Sequence, residues 1–193
     1  MASNGREKGV LSPAKFCHIV LRTTPEHFKS MVEWWKTSLG AHAVWENEVI
    51  CFMTYDDEHH RVAITGRPGT TPKTGDAITG GGLAHVAFAY NTLEELMTSY
   101  RQRRALGILP SWCINHGPTT SIYYADPDGN EMETQVDNFD TAEEATNFMN
   151  SSEFLENPIG VDFDPEALIE RLESGEAVAS IKRRPNIGPR TMR

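Results

Sequence analysis

No stretch of this 193-residue chain stays apolar for the roughly twenty residues that a membrane-spanning helix needs, so no membrane partner is expected. The opening run MASNGREKG lacks the apolar centre of a secretory signal, and a cytoplasmic location is the expectation. Cysteine is scarce. Cys17, Cys51 and Cys113 are odd in number, far apart and without a CxxC pair, which supports neither a disulfide framework nor a zinc-thiolate knot. Positive charge is in deficit as well: 18 Lys and Arg stand against 27 Asp and Glu, a formal net charge of −9. A phosphate backbone would be repelled, so no nucleic acid is expected and the partner is a small molecule.

What is present is a pattern that repeats. After a polar leader over 1–14, FCHIVLRT (16–23) is a β-prone run ended by Thr24-Pro25. PEHFKSMVEWWKTSLG (25–40) predicts a helix, with Pro25 in the first turn, apolar Phe28, Met31, Val32, Trp35 and Leu39 at helical spacing, and Gly40 as the stop. Strands are predicted at 41–46, 49–55 and 60–66, and the Gly-, Pro- and Thr-loaded segment 66–82 is a linker. Strand, helix and strands then recur at 82–90, 92–107, 111–115, 119–125 and 130–136. His85 follows His18 by 67 residues, and Gly107 follows Gly40 by the same 67. The expected fold class is therefore α+β: two β-α-β-β-β modules, about 15–66 and 82–136, forming a half-open barrel around a cleft. Residues 137–193 are expected to be an appended helical extension. Its signs are a capping box at Thr141 and Glu144, and a helix opened by Asp164-Pro165 and stopped by Gly175. The final IKRRPNIGPRTMR is expected to be an extended or disordered arm, with Lys182, Arg183 and Arg184 as a surface cluster or a dimer clasp.

Alternation along the strands puts His18 beside Phe16 and Val20, and His85 beside Leu83 and Ala87. A lone histidine on such a face is ordinarily a hydrogen-bonded core residue. Two histidines at equivalent points of a duplication are candidates to converge on one centre. In YYADPDGNEMETQ (123–135), a tight turn at 126–129 is followed by a strand with Glu131, Glu133 and Gln135 on one face. Alternation does not choose between the two glutamates, and both are equally readable as solvated strand residues.

The duplicated layout, the histidine that opens each half in FCHIVL and GLAHVAF, and the run YYADPDGNEMET resemble the vicinal oxygen chelate superfamily over about residues 15–136. The resemblance implies that Glu133, ending the DPDGN-x-x-E run, is the carboxylate ligand, and that His18, His85 and Glu133 form a 2-His-1-carboxylate site for Fe(II) or Mn(II). Glyoxalase I-like members add a fourth ligand on the last strand of the first half, and here RVAITGRPGTTPKTG (61–75) contains no Asp, Glu, Gln or His. EHHRVAI resembles the doubled histidine of type I extradiol ring-cleavage dioxygenases, which implies that His60 lies beside an O₂ site and that His59 orients it or lines the pocket. NHGPTTSIYYADP resembles the same family's last hairpin, implying that His116 and Tyr123 contact the substrate oxygens. The loop between these two is about two residues shorter than the family's, and the chain holds one duplicated module where many members hold two. Such residue types suit the chemistry: a catechol that binds through two oxygens must lose protons, and an imidazole near neutrality can hand one to oxygen as the O–O bond breaks.

The expected function is thus an Fe(II)-dependent extradiol dioxygenase that opens a catechol-type ring, an aromatic diol, with O₂. A homodimer is possible on this pattern. The alternatives are a metal-dependent lyase, isomerase or epimerase on the same ligands, and a non-catalytic protein that binds a small aromatic molecule.

Overall fold

The computed structural model describes residues 10–74 and 81–190. Within the first half, β1 (Ile19–Arg22), α1 (Phe28–Leu39), β2 (His42–Glu46), β3 (Ile50–Thr54) and β4 (Val62–Thr65) follow one another. The second half repeats the order with β5 (His85–Ala89), α2 (Leu93–Ala105), β6 (Trp112–Asn115), β7 (Thr119–Ala125) and β8 (Glu131–Asp137). Each half makes its own sheet, β1-β4-β3-β2 and β5-β8-β7-β6, with the first and last strands parallel and the others antiparallel. Neither sheet closes into a barrel, and the α+β architecture is that of two half-sheets. Residues 75–80 of the expected linker lie outside the described residues, and its described flanks carry no helix or strand.

Local chemistry explains the elements. In α1, Phe28, Met31, Val32 and Trp35 are all buried, spaced so that they share one helical face. The turn at Pro25 precedes the helix instead of opening it: His27 N–H donates to Thr24 O and Phe28 N–H to Pro25 O, both three-residue closures. Gly40 ends α1 at φ +60, and its N–H returns to the last carbonyls, an arrangement that glycine adopts without a Cβ penalty. Thr92 caps α2 through the Glu95 N–H. β1 starts later than its β-prone sequence, because the carbonyls of Phe16 and Cys17 accept from Arg61 Nη1 (3.0 Å each) and not from a strand.

One apolar core joins the halves. It takes α1, α2 and the inward faces of both sheets, including Met53, Ile64, Leu96, Ile122 and Met132. Two polar ties cross it. Trp35 Nε1 donates to Asp126 Oδ2 (3.0 Å), and the buried Arg103 donates to Ser38 O and Ser99 Oγ with its guanidinium over the Tyr124 ring. Burial raises the Asp126 carboxyl above the ordinary aspartate range, while the Asn130, Trp35 and Asp128 donors draw it back.

The extension beyond 137 holds α3 (Ala142–Met149), α4 (Ser152–Glu156), β9 (Val161–Asp162), α5 (Pro165–Glu173) and α6 (Val178–Lys182). Thr141 and Glu144 form the full capping box, and Asp164 caps α5 with Pro165 at its first position. The tail is extended over 184–190, as expected, but departs from expectation at its start. Ile181 lies within α6 and is buried, and Arg184 is buried as well, because its guanidinium satisfies backbone carbonyls that would otherwise be orphaned. It belongs to no surface cluster. Arg190 also pairs with Asp162 through two bonds of 2.9 and 3.0 Å, so the arm is fastened as far as it is described; residues 191–193 lie outside. Two-residue β9 pairs with β6 and makes the second sheet five-stranded, which no periodicity announces over so short a run.

Candidate metal and substrate site

The ladder register assembles the site. On β5, β8, β7 and β6, Ala87 pairs with Glu133, Glu133 with Tyr123, and Tyr123 with Trp112. Directly paired residues share a sheet face, so these four make one row. His85 stands two residues before Ala87 on that face, and its Nε2 is 3.0 Å from Glu133 Oε2. The intervening residues Met132, Thr134, Ile122 and Tyr124 point into the core and are fully buried. Strand alternation therefore sends Tyr123 to the site and Tyr124 to the core.

Glu133 is 4% exposed. Tyr123 meets His85 edge-on at 5.3 Å and lies 5.2 Å from Trp112. Burial raises the Tyr123 hydroxyl far above the ordinary tyrosine range, and the Glu133 charge adds to that, so it stays protonated. His116, just beyond β6, places Nε2 3.0 Å from the Tyr123 hydroxyl, with Nδ1 on the Ile159 carbonyl. Burial lowers its pKa and the Ile159 contact opposes this, leaving a preference for the neutral ring.

On the first sheet, His18 immediately precedes β1 and is exposed; its ring centroid is 4.3 Å from that of His60. His60 also meets Phe52 at 5.0 Å, and His59 Nδ1 lies 2.6 Å from His60 Nδ1. Partial burial, then the neighbouring imidazoles His18 and His59, lower the His60 pKa. The structure thus draws His85, Glu133, Tyr123 and His116 into one group, and His18, His59 and His60 into another. Among the described residues, no three His, Cys, Asp or Glu side chains form a group arranged to hold a metal ion.

The group on the second sheet nevertheless fits a divalent cation. Its buried carboxylate has only His85 as an ion-pair partner among the described residues, and a buried anion demands compensation. An imidazole nitrogen and a carboxylate oxygen 3.0 Å apart can bind one ion at bond lengths of about 2.0–2.2 Å. A nitrogen–oxygen donor set of this kind suits first-row metals.

Three participants were not legible in the sequence. Ile159 acts through a backbone carbonyl, which carries no residue signature. Asp162 accepts from Trp112 Nε1 (2.8 Å) only because β9 joins β6. Arg184 reaches the carbonyl of His116 (3.1 Å) from a run that reads as a solvated cluster.

Comparison with known proteins identifies the family and the fold. Residues 15–134 match the sequence profile of the Glyoxalase/Bleomycin resistance protein/Dioxygenase superfamily. A Rhodococcus globerulus protein named biphenyl-2,3-diol 1,2-dioxygenase 2 is 45% identical over 168 residues, 86% of each chain. Biphenyl-2,3-diol 1,2-dioxygenase 3 of the same organism is 46% identical over 162 residues, 83% of each. Among solved structures, a glyoxalase/dioxygenase from Nostoc punctiforme shares the fold with a TM-score of 0.51 at 21% identity, covering 68% of this chain and 98% of that one. With most of its length matched in this way, the chain belongs to the glyoxalase/bleomycin resistance/dioxygenase superfamily.

Proposed function

We propose that this protein is an Fe(II)-dependent extradiol dioxygenase that cleaves a catechol-type ring with O₂, and that His18, His85 and Glu133 hold the metal. The observation that carries the reading is the row on the second sheet, where a buried carboxylate and an imidazole lie beside a tyrosine–histidine pair. The two relatives named as 1,2-dioxygenases of biphenyl-2,3-diol support the same reaction on a ring with adjacent hydroxyls. Bound there, Fe(II) would supply Lewis acidity toward the diol and the redox capacity that O₂ chemistry needs.

The protein's own groups have separable tasks. Tyr123 and His116 form a chain of two polar groups in which a substrate hydroxyl can lose its proton toward His116 Nε2, through or beside the tyrosine oxygen. Burial, which lowers the His116 pKa, favours the neutral ring, whose Nε2 is able to accept. Burial, with Glu133 beside it, keeps Tyr123 a neutral hydroxyl. His60, against His18, is the proton donor on the oxygen side, and His59, 2.6 Å from it, orients its ring.

The test is anaerobic reconstitution with Fe(II), followed by O₂ uptake with catechol and with biphenyl-2,3-diol. Ring cleavage consumes one O₂ per diol. Bound iron with no uptake on any catechol shifts the reading to isomerisation or lyase chemistry on the same ligands.

A further inference from the structure

His116 has two ring nitrogens, and the structure assigns each a different neighbour. Nδ1 faces the Ile159 carbonyl, and Nε2 faces the Tyr123 hydroxyl at 3.0 Å. A backbone carbonyl can only accept, so Nδ1 must carry the proton. In the neutral ring Nε2 is then bare and able to accept from the Tyr123 hydroxyl, for which the Glu133 carboxylate is a second acceptor.

The Ile159 carbonyl is itself held in place by a small, buried construction. Asn157, 3% exposed, accepts from the N–H groups of Ile159 (3.2 Å) and Gly160 (2.8 Å) on its side-chain oxygen, closing the loop at 157–160. One guanidinium binds both sides of the contact: Arg184 Nη1 donates to Asn157 O (2.7 Å) and to His116 O (3.1 Å). Gly160 allows the close approach. It sits at φ +119, and a Cβ there would fall 2.3 Å from Asn115 O and 2.8 Å from His116 Cα.

We propose that the C-terminal extension is a positioning device for His116: the 157–160 loop, clasped by Arg184, presents the Ile159 carbonyl to Nδ1 and fixes the tautomer whose Nε2 accepts from Tyr123. Asn157, Gly160 and Arg184 touch no substrate and act through His116. The catalytic value of the tautomer rests on the ring-cleavage reading; the tautomer itself does not.

The full-length chain, labelled with ¹⁵N-histidine and free of metal, tests this by long-range ¹H–¹⁵N correlation, with His116→Gln identifying the resonances. The expected wild-type pattern is a protonated Nδ1 and an unprotonated Nε2. Gly160→Ala is expected to mix the two tautomers, and after Fe(II) loading to lower kcat about tenfold or more with KM for the diol little changed. Asn157→Asp, which keeps the accepting oxygen, retains the wild-type pattern where Asn157→Ala does not. An Nε2-protonated or doubly protonated His116 in the wild-type chain overturns the proposal, whatever the variants do. So does a wild-type pattern that survives both Gly160→Ala and Asn157→Ala in folded protein. The expected tautomer in a wild-type chain that takes up no O₂ defeats the ring-cleavage reading and leaves the positioning device standing.

Discussion

Across the second sheet the ladder aligns Ala87, Glu133, Tyr123 and Trp112, and across the first it aligns Val20, Ala63, Phe52 and Trp45. The pairing is the same: Ile19 stands opposite Val62 as Val86 stands opposite Met132. The backbone is duplicated and the chemistry is not. Where the second half places a carboxylate, the first places the methyl of Ala63; where the second has a hydroxyl on its ring, the first has Phe52. One histidine accordingly meets a buried anion at 3.0 Å, while the other lies exposed against a second imidazole. The comparison teaches that a duplicated scaffold supplies positions in pairs, and that the two halves diverge in chemistry when one of a pair carries no donor.

The largest expected effect comes from erasing the difference at its centre. Glu133→Ala makes the second row match the first; iron content by metal analysis and O₂ uptake should both be lost, by more than the roughly 100-fold that removal of an outer partner costs. Tyr123→Phe copies Phe52 into the second half. It should leave iron bound and slow turnover by about 10²-fold, the usual scale of general acid–base help. On the first sheet, His60→Phe should likewise keep the iron and lower turnover by about 10²-fold; unchanged iron and turnover together would remove His60 from the mechanism. The smallest contrast is between the two tryptophans. Trp112→Phe forfeits the bond to Asp162, a loss of about 1 kcal/mol in a denaturant melt, whereas Trp45→Phe, at a position 52% exposed, should stay within about 0.5 kcal/mol.

Much of this was legible beforehand, for reasons that can be named. The spacing of Phe28, Met31, Val32 and Trp35 specifies a helix because burial of one face does. The equal intervals from His18 to His85 and from Gly40 to Gly107 expose the duplication, since αL glycines mark both helix ends at φ +60 and +79. The family resemblance selects Tyr123, and period-two alternation then turns Tyr124 to the opposite face. The resemblance to the superfamily selects Glu133 over Glu131, which alternation leaves equivalent, because residues two apart share a face. Other features left no trace. Arg184 reads as one of a charged run with Lys182 and Arg183, and only the chain's return toward Asn157 and His116 makes it a buried clasp.

The sequence by itself determined the local elements, the doubled module and the residue types available for chemistry, because these follow from side-chain periodicity, capping and turn preference acting over a few residues. The tertiary structure alone decided which donors meet. It put Glu133 against His85 through the parallel pairing of β5 with β8, set Ala63 in the corresponding place on the other sheet, and brought a backbone carbonyl from residue 159 to the ring of His116. Contacts between residues more than forty positions apart depend on strand register and chain return, and no local pattern encodes either.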